Sequence, residues 1–105
     1  MATIVINNST WTANGGIFNA ASGDALVIDP GLIYSTTING ATDFSVNFEQ
    51  SNPNAIIIAT GQDSQPTFNW AEGADTRLTT IAANSSGAAT FNVGDGATIY
   101  EVQGE

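Results

Sequence analysis

Glu49, Glu72 and Glu101 are the residues here whose type suits acid–base chemistry, because a glycosidase holds two carboxyl groups about 5–10 Å apart across a sugar cleft. The rest of a catalytic set is missing. The sequence has no histidine, no cysteine and a single basic residue, Arg77, so the usual general bases and nucleophile–base pairs have no members. Each glutamate falls near the end of an expected strand, the ordinary place for a solvated carboxylate, and 105 residues leave little room for a cleft. No enzyme is expected.

Metal chemistry is equally thin. Calcium takes six to eight oxygens, and "VGDGAT" with "QDSQ" (Gln62–Gln65) offers only a few from loops. The calcium-loop pattern and the glycine-rich solenoid repeat are both absent. "GDG" reads instead as a tight hairpin turn with Asp95 and Gly96 at its centre. No metal or cofactor is expected. Four aromatic residues, Trp11, Trp70, Tyr34 and Tyr100, are of the type that stacks on sugar faces. Trp70 alternates in phase with Phe68 and reads as core. Trp11 lies in the polar segment "NNSTWTANGG", so it is the contact candidate, with Tyr34 beside it for a carbohydrate platform. Arg77 is expected to pair with Asp75 or Glu72, or to reach a neighbouring chain, through its planar guanidinium.

Ten acids against one base give a net charge of −9. Nucleic-acid binding requires Lys and Arg to displace counterions from phosphates, and anionic membranes require the same. Neither partner fits. Without cysteine there is no disulfide framework, and "MATIVINNST" lacks the basic and apolar regions of a secretory signal. Hydrophobic residues make up 42% and charged residues 10%, against a usual charged share of about 25%. So small a domain must leave apolar surface outside, which points to an oligomer or a docked partner.

The elements that would position these residues are β-strands. Apolar, β-branched runs recur about every ten to twelve residues between turn signals, as in an all-β sandwich or barrel. Strands are expected at Thr3–Asn7, Gly16–Ala20, Ala25–Asp29, Asp43–Gln50, Ala55–Thr60, Thr67–Glu72, Arg77–Ala83, Ala89–Val93 and Thr98–Gln103. No stretch has convincing helical periodicity. Internal repetition is confined to two Gly-Asp turns, each launching an apolar strand. Residues 1–105 are expected to form one domain, with 1–12 as an extended N-terminal arm.

Two resemblances bear on this pattern. "STWTANGGIFNAASGDALVIDPG" (residues 9–31) resembles the opening coil of right-handed β-helices, where a tryptophan and a short strand lead to an L-x-I-x-P-G strand end. The remainder shows no regular coil and no ladder of repeated Asn or Gly positions. The whole chain, cysteine-free and rich in Gly, Ala, Thr and Asn, resembles accessory virion proteins of tailed phages, chiefly the cement or decoration proteins. That resemblance implies a structural, non-enzymatic protein made in the host cytoplasm and carried on the virion surface. It also implies a homo-oligomer, with a trimer favoured, bound to the major capsid protein or other shell subunits. The fold expected is a single-domain antiparallel sandwich or barrel of about eight strands, with a short β-solenoid as the alternative. Ile4, Ile6, Trp11 and Arg77 are the expected partner contacts. A carbohydrate-binding or adhesin module, using Trp11 and Tyr34, is the alternative function.

Overall fold

The computed structural model describes residues 2–40, 43–61, 64–83 and 89–104. Its strands are β1 (Thr3–Ile6), β2 (Ile17–Ala20), β3 (Ala25–Ile28), β4 (Thr36–Gly40), β5 (Asp43–Phe48), β6 (Ile57–Thr60), β7 (Gln65–Trp70), β8 (Asp75–Ala83), β9 (Thr90–Val93) and β10 (Thr98–Gly104). One short helix, α1 (Asn8–Ala13), lies between β1 and β2. The odd-numbered strands form one five-stranded sheet in the order β1-β3-β5-β7-β9, and the even-numbered strands form a second, β10-β8-β6-β4-β2. Every pairing is parallel.

The chain is therefore a β-solenoid of two sheets. It alternates between the sheets and completes one coil every two strands. All-β was the right class; the antiparallel sandwich or barrel was not. Each run read as one half of a hairpin crosses instead to the opposite sheet and pairs one coil further along. In the first sheet Thr3, Ala25, Ser45, Thr67 and Thr90 stand in register, at offsets of 22, 20, 22 and 23 residues. All nine expected strands are present, within a residue or two at most ends. The missed strand is β4, a polar TTING segment, and the missed helix is α1. Nor is there an N-terminal arm: β1 pairs with β3, and α1 folds back on the first coil.

Alternation explains the core. Leu26, Ile28, Val46, Phe48, Phe68 and Trp70 point inward from the first sheet and are buried, as are Phe18, Ile38, Ile58 and Ile81 from the second. The bulk moves between sheets along the axis. Phe18 faces in from the second sheet in the first coil; by the fourth coil the aromatics Phe68 and Trp70 come from the first sheet, opposite Ile81 and Ala83. The larger residues thus change sides along the axis, the smaller ones standing opposite them, as close packing of a shared core requires. The stack Phe48–Trp70, with centroids 4.9 Å apart, and Phe68–Phe91, at 5.2 Å, continues from coil to coil.

Outside the first sheet runs a second ladder. Asn47, Asn69 and Asn92 are in register, and each amide donates to the previous coil: Asn92 to Asn69 Oδ1 at 2.9 Å, Asn69 to Asn47 Oδ1 at 2.9 Å, and Asn47 to the Leu26 carbonyl at 3.1 Å. Such stacked amides satisfy one another at strand spacing. The Gly-Asp-Gly turn also differs from expectation. Gly96 alone takes the left-handed conformation there, at φ 77°, and the turn rounds a coil corner between β9 and β10.

At the opposite corner of the first sheet, Asp24 anchors the first two coils. Its carboxylate, only 6% exposed, accepts from the backbone N–H of Ala21 at 2.8 Å and of Ala2 at 2.9 Å. Those bonds favour the charged form and hold its pKa below the usual carboxylate value. A carboxyl with a depressed folded-state pKa contributes stability above its unfolded value, and loses that contribution as pH falls through the folded one. Wild-type protein is therefore expected to outlast Asp24→Asn in thermal melts at neutral pH. The gap should narrow steadily once pH drops below the ordinary aspartate value of 3.8; a constant gap from pH 7 to pH 2 contradicts the assignment.

Candidate functional site: the helix corner

The site begins with α1, a helix too short to be stable alone. Its ends are tied down by side chains. Asn7 caps the start by accepting from Thr10 N–H at 2.8 Å, while Thr10 Oγ1 accepts from Asn7 N–H at 2.9 Å, a reciprocal capping box. Asn8 then fixes the helix to the next coil, donating to the Gly31 carbonyl at 3.0 Å and accepting from Ile33 N–H at 3.0 Å. Trp11 completes the clasp. Its indole N–H donates to the Ser35 carbonyl at 3.0 Å, and its ring stacks on Tyr34 with centroids 4.3 Å apart. On the indole's other side, a Cβ added at Gly16 would lie 2.9 Å from the ring. Trp11 is held between a glycine and a tyrosine, so both its faces are taken.

Three apolar side chains stand exposed on the segments this clasp joins: Ile17 at 49%, Ile33 at 55% and Tyr34 at 38%. Their surroundings carry little charge. In a chain of net charge −9, residues 1–23 and 30–42 contain no acidic or basic side chain, and these two stretches supply β1, α1, β2, the 31–35 segment and β4. The one acid beside them, Asp29, is half-buried and turns its carboxylate onto the Gly31 N–H at 2.9 Å. A fixed, sparsely charged, apolar-studded surface on a strongly anionic molecule suits contact with another macromolecule, because association there brings few like charges together.

The other expected contacts separate. Ile6 is fully buried in the core, so its side chain is closed to a partner, while Ile4 is partly buried against that core. Arg77, on β8, forks onto Asp75 through Nε at 2.9 Å and Nη2 at 2.6 Å, and Thr98 also donates to that carboxylate at 2.7 Å. The guanidinium and the threonine hydroxyl hold Asp75 far below the usual carboxylate range, and the Asp75 carboxylate raises Arg77 in turn. Arg77 is thus engaged with its neighbour two residues away, the simpler of its expected roles.

No family model, curated protein or solved structure matches this chain. Its own geometry carries the assignment. Among the described residues there is no group of three acidic residues placed to hold a metal ion, and no helix long and apolar enough to cross a membrane. Half of the calcium candidate "QDSQ", Gln62 and Asp63, lies outside the described residues. Glu49 and Glu72 follow β5 and β7 at the same corner of neighbouring coils, while Glu101 stands on the outside of β10 in the other sheet. The three glutamates share no cleft.

Sequence reasoning found Trp11 and Tyr34 but not what joins them. Nor did it find Ile17 and Ile33, whose placement follows from the coil register. One signal was available: the charge-free stretches 1–23 and 30–42 are visible in the sequence of so acidic a chain.

Proposed function

We propose that this protein is a non-enzymatic structural module that stabilises a larger assembly by docking its helix corner on neighbouring subunits. The observation that carries this reading is the sparsely charged corner with Ile17, Ile33 and Tyr34 exposed on it. Its rigidity supports the same view. The clasp of Asn7, Asn8, Thr10 and Trp11 orders this surface before any partner arrives, which lowers the entropy lost on binding. In the finer reading the assembly is a viral shell, the partner is the major capsid protein or another shell subunit, and the protein sits on the virion surface.

The test is co-sedimentation with shells assembled from the capsid protein encoded beside this chain's gene. Wild-type protein should bind saturably. Ile33→Asp with Ile17→Asp should weaken binding at least thirtyfold, the consequence of removing about 2 kcal/mol or more at an interface centre. Both positions are half-exposed or more, so a correctly folded double variant is expected by circular dichroism. Absence of a neighbouring capsid gene, or undiminished binding by the variant, contradicts the proposal.

A second reading uses the same corner. Tyr34 leaves part of its ring open beside neutral polar groups, the arrangement of a sugar-stacking platform. With Trp11 enclosed, that platform reduces to one ring. Glycan-array binding lost in Tyr34→Ala favours this reading; shell binding without glycan binding favours the first.

A further inference from the structure

The two ends of the solenoid are finished differently. In the first coil the inward residues Ile6 and Phe18 are 0% and 4% exposed. In the last coil the inward residues Phe91, Val93 and Val102 are 36%, 49% and 48% exposed. There β9 and β10, like β1 and β2 at the other end, each pair with one neighbour only, leaving an edge of backbone donors and acceptors on both sheets. Open edges of this kind add further strands.

The asparagine ladder narrows what can seat there. Its hydrogen bonds all run one way, from each coil toward the preceding one. At the open end Asn92 spends one amide hydrogen on Asn69, retains the other, and presents an Oδ1 that accepts from nothing among the described residues. A head-to-tail stack would bring β1 of another copy onto β9. The residues on the Asn92 rank are then Val5 and Val27, which have no donor for that oxygen, and the first coil's core is already covered. A two-fold arrangement meets both needs.

We infer that a second copy of this chain seats on the open end, β9 against β9 in antiparallel pairing, about a two-fold axis through Asn92. The two Asn92 amides face one another, each donating its free hydrogen to the other's Oδ1, so the ladder closes. Residues equidistant from the axis pair, which sets Phe91 of each copy opposite Val93 of the other, a large ring against a smaller branched side chain on the core side. The second sheet continues alongside through β10, covering Val102. Such a contact is isologous and complete at two copies, and it leaves the two helix corners at the far ends of the pair. This pairing is independent of what those corners bind.

Light scattering after size exclusion, at 0.5 M salt to screen nine negative charges per chain, should give twice the 10.8 kDa chain mass at micromolar concentration. Asn92→Asp, which sets like charges face to face, should weaken the pair at least tenfold with an unchanged circular dichroism spectrum. Asn92→Cys supplies the geometric check, since the chain has no other cysteine. Directly opposed residues in antiparallel strands lie about 4.5–5.5 Å apart at Cα, within the range a disulfide spans. Mild oxidation should convert Asn92→Cys almost wholly to a covalent dimer, while Val5→Cys on the closed end should not cross-link. A monomer up to 100 times that concentration, a trimer, or a dimer that cross-links through Val5→Cys and not Asn92→Cys overturns the inference. Ile33→Asp with Ile17→Asp should still dimerise, so failure of the pairing and failure of the docking reading are told apart.

Discussion

Phe68→Ala is expected to lower folding stability by about 3–5 kcal/mol, the loss typical of deleting a fully buried aromatic ring. Phe68 is completely buried on β7, in register between Val46 and Phe91, with Phe91 stacked at 5.2 Å and Trp70 at 6.1 Å. The cost should sit in the upper part of that range. A cavity is cheap when its walls can move inward, and here backbone ladders on both sides of β7 fix the strand spacing. The neighbouring rings would also lose their stacking partner. Phe91→Ala provides the comparison, because that ring is 36% exposed and open on one side; it should cost about half as much or less in the monomer. Urea unfolding at one fixed protein concentration measures both, since pairing of the chain would add its own concentration-dependent term. Equal costs for the two positions would mean that the open end is covered within a single chain.

The second large effect is expected at Asn52, which makes the 29–34 segment possible. Asn52 is 1% exposed. Its amide donates to the carbonyls of Asp29 at 3.0 Å and Leu32 at 3.1 Å, and its Oδ1 accepts from Asn54 N–H at 2.8 Å. Asn52→Leu keeps the branched shape and removes every one of those bonds. Leu32 O retains the Asn54 side chain as a donor at 2.9 Å, and Asp29 O retains the Leu32 N–H at 3.1 Å, so the group left bare is the Asn54 N–H. At about 1–3 kcal/mol for a buried orphan, the variant should lose about 1–3 kcal/mol in the same unfolding assay. It should also raise hydrogen exchange at Ile33, whose N–H is held by Asn8 at 3.0 Å. A loss below 1 kcal/mol with unchanged exchange would show that the segment holds its shape without Asn52.

These two residues also mark what was and was not legible in the sequence. The alternation of Phe44, Val46 and Phe48, and of Phe68 and Trp70, identified strands and the faces they bury, because period two is a local property. Pairing is not local. A hairpin and a solenoid coil share strand lengths and turn residues, and differ only in whether the next strand returns to its predecessor or to the strand before that. The register offsets of 20 to 23 residues vary enough to blur a fixed-period comparison. The clearest marker, Asn47, Asn69 and Asn92, has ordinary residues on either side, and the expectation of no asparagine ladder was overturned by it. The tryptophan-to-DPG segment resembles the opening of a β-helix, but its strand, turn, strand pattern serves a hairpin equally well, so the short β-solenoid stood as the alternative and not the first choice. α1 escaped notice because six residues carry no period; polar caps and one tryptophan clasp hold it. Asn52 gave no signal, since its carbonyl partners lie 20 and 23 residues earlier. At the site, aromatic type picked out Trp11 and Tyr34, but only the fold shows Trp11 enclosed and Ile33 exposed. Ile6 was misjudged because a terminal strand reads the same whether it is donated to a neighbour or paired at home.

Backbone hydrogen exchange on the shell-bound protein tests docking through the helix corner. Peptides covering residues 7–20 and 30–36 are expected to gain protection on binding, while those covering β5 and β7 exchange as in the free protein. Protection confined to β5 and β7, with the corner unchanged, would contradict the account.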